Sequence, residues 1–186
     1  MNVTAQHTAR IGLAPPAGEE AKVNTIMAPY KEMLGRAPAG LQMLGVSPPL
    51  LENYASTIHY YMEHPTLGQK LLTFIRYLVS WRGECAYCID LNEAFLVNAG
   101  LDLDAVRSTR EDASRAPLEE RDKALLIFAV DAVDRPESVT TERFTEMRAL
   151  GWGDREIFDA VWHAAQNRAF GIAADAFALP SDGFIA

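Results

Sequence analysis

The sequence predicts an all-α protein, and three observations carry that reading. Apolar residues recur at helical spacing along most of the chain. Alternating β-branched runs joined by hairpin turns do not occur, and Asp182-Gly183 is followed by only three residues, too few for a returning strand. Prolines fall at the edges of the periodic segments, where helices start or stop.

The first sixty residues are interrupted by Pro15, Pro16, Pro29, Pro38, Pro48 and Pro49, which predicts shorter helices there. One of them starts at Pro48-Pro49 and runs to His64, stopped by Pro65. Leu67, Leu71, Leu72, Ile75, Leu78 and Val79 then paint one face of a helix leading toward two cysteines. Ile89, Phe95, Leu96 and Ala99 fit a second helix that closes at Gly100. Leu125, Phe128, Ala129 and Ala132 make a third stripe, ended by Pro136. In the last helix Asp154 is the candidate N-cap, and Ile157, Val161, Ala165, Ala169, Ala173 and Phe177 step by four toward Pro180. A faint echo links Ala86-Tyr87-Cys88-Ile89 to Ala169-Phe170-Gly171-Ile172; chance and duplication explain so short a match equally well.

At 186 residues and 49% hydrophobic content the chain has room for one medium-sized domain, residues 1–186, with a polar N-terminal extension. Seventeen Lys+Arg against twenty-five Asp+Glu give a net charge of -8, which repels phosphate backbones and argues against nucleic-acid binding; the acidity reads as solubility. No stretch approaches the ~20 apolar residues of a membrane span; the longer runs resemble Ala124 to Val130. Met1 to Arg10 lacks the basic-then-apolar order of a signal peptide, so a soluble, cytoplasmic protein that does not engage a membrane is expected.

Only two cysteines occur, Cys85 and Cys88, as C-x-x-C. A lone pair cannot close a four-ligand zinc site, and the four histidines, His7, His59, His64 and His163, make no second ligand pair. In a reducing compartment such a pair reads as redox chemistry. At a helix start it meets unpaired N–H groups and the positive end of the helix dipole, which favour a thiolate. A sulfenic acid formed beside a second thiol condenses to a disulfide instead of over-oxidising. Arg82 favours a thiolate; Glu84 and Asp90 oppose it or carry protons. The bland alternative is two inert cysteines filling small spaces between helices.

The segment from Leu78 to Ala94, LVSWRGECAYCIDLNEA, resembles the signature of the AhpD-like, carboxymuconolactone decarboxylase superfamily. The resemblance extends through Leu34-Gly35-Arg36-Ala37-Pro38, Ser47 to Leu51, Leu118 to Leu126, Ser138-Val139-Thr140 and Gly153-Asp154, covering roughly residues 20 to 180. It implies a multi-helix, homo-oligomeric protein with the C-x-x-C at a helix start. In the peroxidase branch the pair reduces hydroperoxides: Cys88 would attack the peroxide as thiolate, and Cys85 would close the disulfide. A small hydroperoxide or other oxidant and an external thiol–disulfide reductant are then the partners. The decarboxylase branch does not use this dithiol.

Two departures stand out. The peroxidase pattern carries a histidine four residues after the second cysteine, where this chain has Asn92, and an amide cannot act as general base. It carries a glutamate about twelve residues before the first cysteine, where this chain has Thr73. Glu84 and Glu93 are near enough in sequence to substitute, or simply face solvent. His163, beside Trp162, Gln166 and Asn167, either lines a cavity near the cysteines or is a hydrogen-bonded core histidine; His59 poses the same choice. Tyr87 packs. The aromatic supply, including Trp81, Trp152 and Trp162, suits helix packing and a subunit interface. With no G-x-G-x-x-G, phosphate loop or H-E-x-x-H, no cofactor or metal is expected. Three readings follow: a dithiol peroxidase or thiol–disulfide oxidoreductase with an altered proton relay, a cofactor-free lyase or isomerase of the decarboxylase type, and a non-catalytic oligomeric scaffold.

Overall fold

A computed structural model describes residues 9–185. His7 and most of the polar N-terminal extension lie outside the described residues. Among those described, nine α-helices and no strand are found: α1 Glu20–Leu34, α2 Ala39–Gly45, α3 Pro48–Met62, α4 Gln69–Arg82, α5 Ala86–Asn98, α6 Leu103–Ser108, α7 Glu120–Asp134, α8 Thr141–Ala149 and α9 Asp154–Ala176. No helix among them is long and apolar enough to cross a membrane.

Helix α4 is the axis of the core. From Leu71 to Ser80 every side chain except Arg76 is buried, because α5, α7 and α9 pack around it. The main core therefore joins Leu71, Phe74, Ile75 and Leu78 of α4 to Leu96, Leu125, Phe128, Ile157 and Ala160. A smaller cluster, Val23, Met27, Leu41 and Leu51, binds α1, α2 and α3 to one another. A third gathers Cys85, Tyr87 and Cys88 with Ala39, Met43, Ala174 and Leu179. The C-terminal tail ties these layers together. Asp90 of α5 accepts hydrogen bonds from the Ser181 hydroxyl (2.6 Å) and the Phe184 and Ile185 amides (3.1 and 3.0 Å). Asp182 accepts from the Ala39 amide at the start of α2 (3.1 Å), and Arg36 bonds the Asp182 carbonyl.

Three details of the periodicity reading are corrected. Helix α1 runs through Pro29, which is exposed, so the carbonyl that loses its partner faces solvent. The N-cap of α9 is Gly153, with Asp154 in the first turn held by Arg148 at 2.8 Å. The buried face of α9 is not the step-of-four series: Ala165 and Ala169 are exposed, while Ile157, Ala160, Ala164, Asn167, Gly171 and Ala174 are buried. At 100° per residue a step of four drifts ~40° each time, so a long series must alternate threes and fours to stay on one face.

Candidate active site

Local backbone chemistry sets the two cysteines in place. Helix α4 ends at Gly83, and Glu84 adopts φ 57°, the left-handed conformation that reverses the chain. The Cys85 amide then bonds back to the Ser80 carbonyl at 3.1 Å. Cys85 is extended (φ −75°, ψ 96°) and is the N-cap of α5, its sulfur accepting from the Cys88 amide at 3.3 Å. Both cysteines are free and almost wholly buried, at 2% and 3% exposure.

Why do the sulfurs fit against α9? The position of Gly171 answers this. A Cβ there would lie 3.3 Å from the Cys85 Cβ and 3.7 and 3.9 Å from the two sulfurs. Alanine would need only a few tenths of an ångström; a branched side chain has no room. Gly171→Leu is expected to lower stability by about 1–3 kcal/mol, the usual cost of overpacking, measurable by urea unfolding of the reduced protein. The two echo segments thus meet, with the Tyr87 and Phe170 rings 6.2 Å apart.

The pair holds its charge unevenly. Cys85 is lowered from the ordinary thiol range by the Cys88 thiol donating to it and by the Cys88 and Tyr87 amides, against the cost of burial. Cys88 is raised, first by that same hydrogen bond to Cys85, then by burial and by the Cys85 and Asp175 charges. When the pair ionises, the first proton therefore leaves Cys85, and Cys88 stays protonated as its hydrogen-bond donor. Access runs the other way. A cavity of about 400 Å³ between α1–α3 and the α4, α5 and α9 faces is lined by Cys88 and not by Cys85.

Several expected helpers lie elsewhere. Arg82 pairs with Asp134 at 2.8 Å and Asp131 at 3.3 Å. Glu84 is exposed, and Asp90 caps the tail. Glu93 neither faces solvent nor lines the cavity: burial pushes its carboxyl up, but bonds from Arg107, Tyr77 and Arg110 hold it below the ordinary range. His59 is exposed and pairs with Glu63 at 3.2 Å.

His163 combines both alternatives posed for it, being buried and lining the cavity, with its ring 4.2 Å from that of Tyr61. Burial and the Arg76 charge hold it well below the ordinary histidine range, so it stays neutral, its Nε2 accepting from Arg76 at 3.3 Å. The unfolded chain takes up this proton near pH 6.5 and the folded chain resists it, so stability falls as pH drops below that value. His163→Phe is expected to flatten this acid limb, read from unfolding midpoints at pH 5 and 7.5.

No protein-family model matches the chain, and no curated protein matches it. Solved structures do. An uncharacterized peroxidase-related protein from Silicibacter sp. TM1040 aligns at TM-score 0.82 and 21% identity, over 97% of this chain and 94% of that one. An uncharacterized peroxidase-related protein from Ralstonia eutropha JMP134, described as an alkylhydroperoxidase AhpD core, aligns at 0.81 and 18%, over 95% and 94%. The chain has the AhpD-like fold. The debrominase Bmp8, in a Cys→Ala variant bound to 2,3,4-tribromopyrrole, shares it at TM-score 0.69 and 17% identity, over 89% of this chain and 90% of that one.

On this AhpD-like scaffold the two replaced relay positions are neighbours in space, joined by a residue that the sequence reading passed over. The Arg76 Nε donates to the Asn92 Oδ1 at 2.9 Å, and its Nη2 donates to the Thr73 Oγ1 at 3.1 Å. Asn92 in turn donates to the Cys88 carbonyl at 2.8 Å. Where the family pattern has a carboxylate and an imidazole, this chain has two neutral side chains holding a guanidinium. Among the described residues Arg76 forms no ion pair; its three hydrogen-bond acceptors are Asn92, Thr73 and His163, all neutral. The signal was present in the sequence as one cation in the apolar run Leu71 to Val79.

Tyr54, Ser80 and Asp175 were also missed. Tyr54 lines the cavity, where burial pushes its hydroxyl up to about 12 within the fields of both Arg76 and Cys88. Ser80 lies beside the Cys88 sulfur and lowers its pKa, and Asn167 donates to the Ser80 hydroxyl at 2.9 Å.

Proposed function

We propose that the chain is a dithiol oxidoreductase that reduces a hydroperoxide within the cavity at Cys88. The observation that carries this reading is the division between the sulfurs: Cys85 caps α5 as the more acidic partner, and Cys88 lines the cavity. The Cys88 proton passes to the Cys85 thiolate, so Cys85 takes the place of the absent histidine. The Cys88 sulfur attacks the distal peroxide oxygen; an S–O bond forms, the O–O bond breaks, and the alkoxide leaves. Tyr54 protonates that alkoxide to the alcohol and is reprotonated from solvent. The Cys85 sulfur then attacks Cys88; the S–S bond forms, and hydroxide leaves with the Cys85 proton as water. Two thiols are oxidised, the peroxide is reduced by two electrons, and an external dithiol restores the pair by exchange.

Turnover of an organic hydroperoxide with dithiothreitol as recycling reductant tests the reading. Alcohol should form at a rate that depends on both cysteines; a rate no higher than that of dithiothreitol alone would refute it. The likeness to Bmp8 supports a second substrate class, an aryl bromide, in which two thiols and Ar–Br give Ar–H, bromide, a proton and the disulfide. Bromide release is the readout.

The chain is further read as a homo-oligomer in a reducing compartment such as the cytoplasm. Phe158, Trp162, Ala165, Ala169, Ile172 and Ala176 repeat at alternating steps of four and three on the exposed face of α9. Phe158, Trp162 and Ile172 are 62%, 52% and 62% exposed, a seam that suits a second copy. Trp162→Glu is expected to convert the assembly to monomer, measured by size exclusion with light scattering.

A further inference from the structure

We propose that Arg76 is an anion-binding point in the cavity, and that the substrate is a small organic acid bearing the reducible bond at its far end. This deepens the dithiol reading, because it places the substrate's charged end against Arg76 and its oxidised end against Cys88. The Arg76 side chain is partly buried, its guanidinium is held between α4, α5 and α9, and it lines the same cavity as Cys88. Of its five N–H donors three have acceptors, all neutral, leaving two for a ligand. A charge taken out of water in this way is retained only where something compensates it. Among the described residues the wall offers three neutral acceptors and the face of the Phe95 ring, 5.8 Å from the guanidinium, but no opposite charge. Its lining includes Arg76 and the exposed Lys70 but no Asp or Glu among the described residues. The rest of the wall is largely apolar, with Met33, Leu41, Ile58, Phe95 and Phe170, which suits an aromatic or short aliphatic body. A carboxylate meets the planar fork of Arg76 with two parallel hydrogen bonds, which a neutral hydroperoxide cannot do.

The test measures binding without any oxidant, so its outcome is separate from whether the dithiol turns over. Isothermal titration of the reduced wild-type protein with 4-phenylbutanoate and with its neutral amide should give at least tenfold tighter binding of the acid. That preference should vanish in Arg76→Met and return in part in Arg76→Lys. Equal affinities in the wild type, no binding of either probe, or a preference that persists in folded Arg76→Met would each overturn the proposal. The wild-type comparison stands without any variant. Loss of peroxide turnover alongside an intact acid preference would sink the dithiol reading and leave this one in place.

Discussion

Cys88→Ser is expected to abolish hydroperoxide turnover, by roughly three orders of magnitude or more, as loss of a covalent nucleophile does. Helix content should be unchanged, since Cys88 sits in the first turn of α5 and the N-cap bond is made by Cys85. Cys85→Ser should behave differently. Serine is a good N-cap, so α5 keeps its start, but Cys88 loses both its proton acceptor and its resolving partner. The first oxidation slows, and the sulfenic acid then persists long enough to be trapped or over-oxidised. The two variants therefore separate by product: no sulfur oxidation in Cys88→Ser, a trapped sulfenic acid on Cys88 in Cys85→Ser. The pH profile follows from the same division. The attacking state needs the thiolate held by the pair, whose first deprotonation is lowered at Cys85, so the rate rises with pH through a value below the ordinary thiol pKa and then levels. With His163 kept neutral, no step appears near pH 6.5. Stopped-flow oxidation of the reduced protein between pH 5 and 9 reads both features.

Arg76→Met should leave the protein more stable, although it removes three hydrogen bonds. Desolvation lowers the Arg76 pKa from the ordinary arginine range to about 10, so the folded state holds this proton less tightly than the unfolded chain does. For a base shifted in that direction the cost is fully present at neutral pH and is relieved only as pH rises through the folded value toward the unfolded one. At 1.36 kcal/mol per unit the penalty is on the order of 3 kcal/mol. Methionine has similar length and no charge, and Asn92, Thr73 and His163 line a cavity that water can enter, so their lost partner is replaceable. The expected gain is about 1–3 kcal/mol, or about 2–4 °C in Tm for each kcal/mol in a chain of this size. Calorimetry of both proteins at pH 7 checks it. A lower Tm for the variant would mean that the guanidinium has a compensating partner and is not held for a ligand.

The parts of the fold written in local pattern were legible. The helices around Ile75, Phe128 and Ile157, the Pro48 start and the Gly100 stop all follow from spacing and termini that act within one or two turns. The cysteines at the start of α5 were equally plain, because C-x-x-C followed by an apolar helix leaves few other placements. The cavity was not legible. It exists because the proline-rich α1–α3 layer covers the α4–α5–α9 face, and nothing in the local sequence fixes where that layer sits. For the same reason Tyr54, on α3, gave no sign of facing Cys88, and Glu93 gave none of reaching Arg107 and Arg110 on the far side of α5. The loss of the histidine and glutamate was visible as Asn92 and Thr73. What replaced them was not, because Arg76 becomes their common partner only once α4 and α5 are side by side.

The proton arrangement that results differs in kind from an imidazole–carboxylate relay. In the proposed mechanism the Arg76 cation beside the substrate would stabilise negative charge without moving a proton, and the dithiol would manage its own proton between two sulfurs. Such a site would suit the anionic substrate proposed above.

The most direct measurement is mass spectrometry of the fully reduced wild-type protein after one equivalent of an organic hydroperoxide, with peptide mapping. The expected product is a chain lighter by two hydrogens, carrying one disulfide between Cys85 and Cys88 formed within each chain. Two unmodified thiols after complete mixing, or oxidation confined to a Cys85 that never pairs with Cys88, would overturn the reading of this pair as the reactive centre.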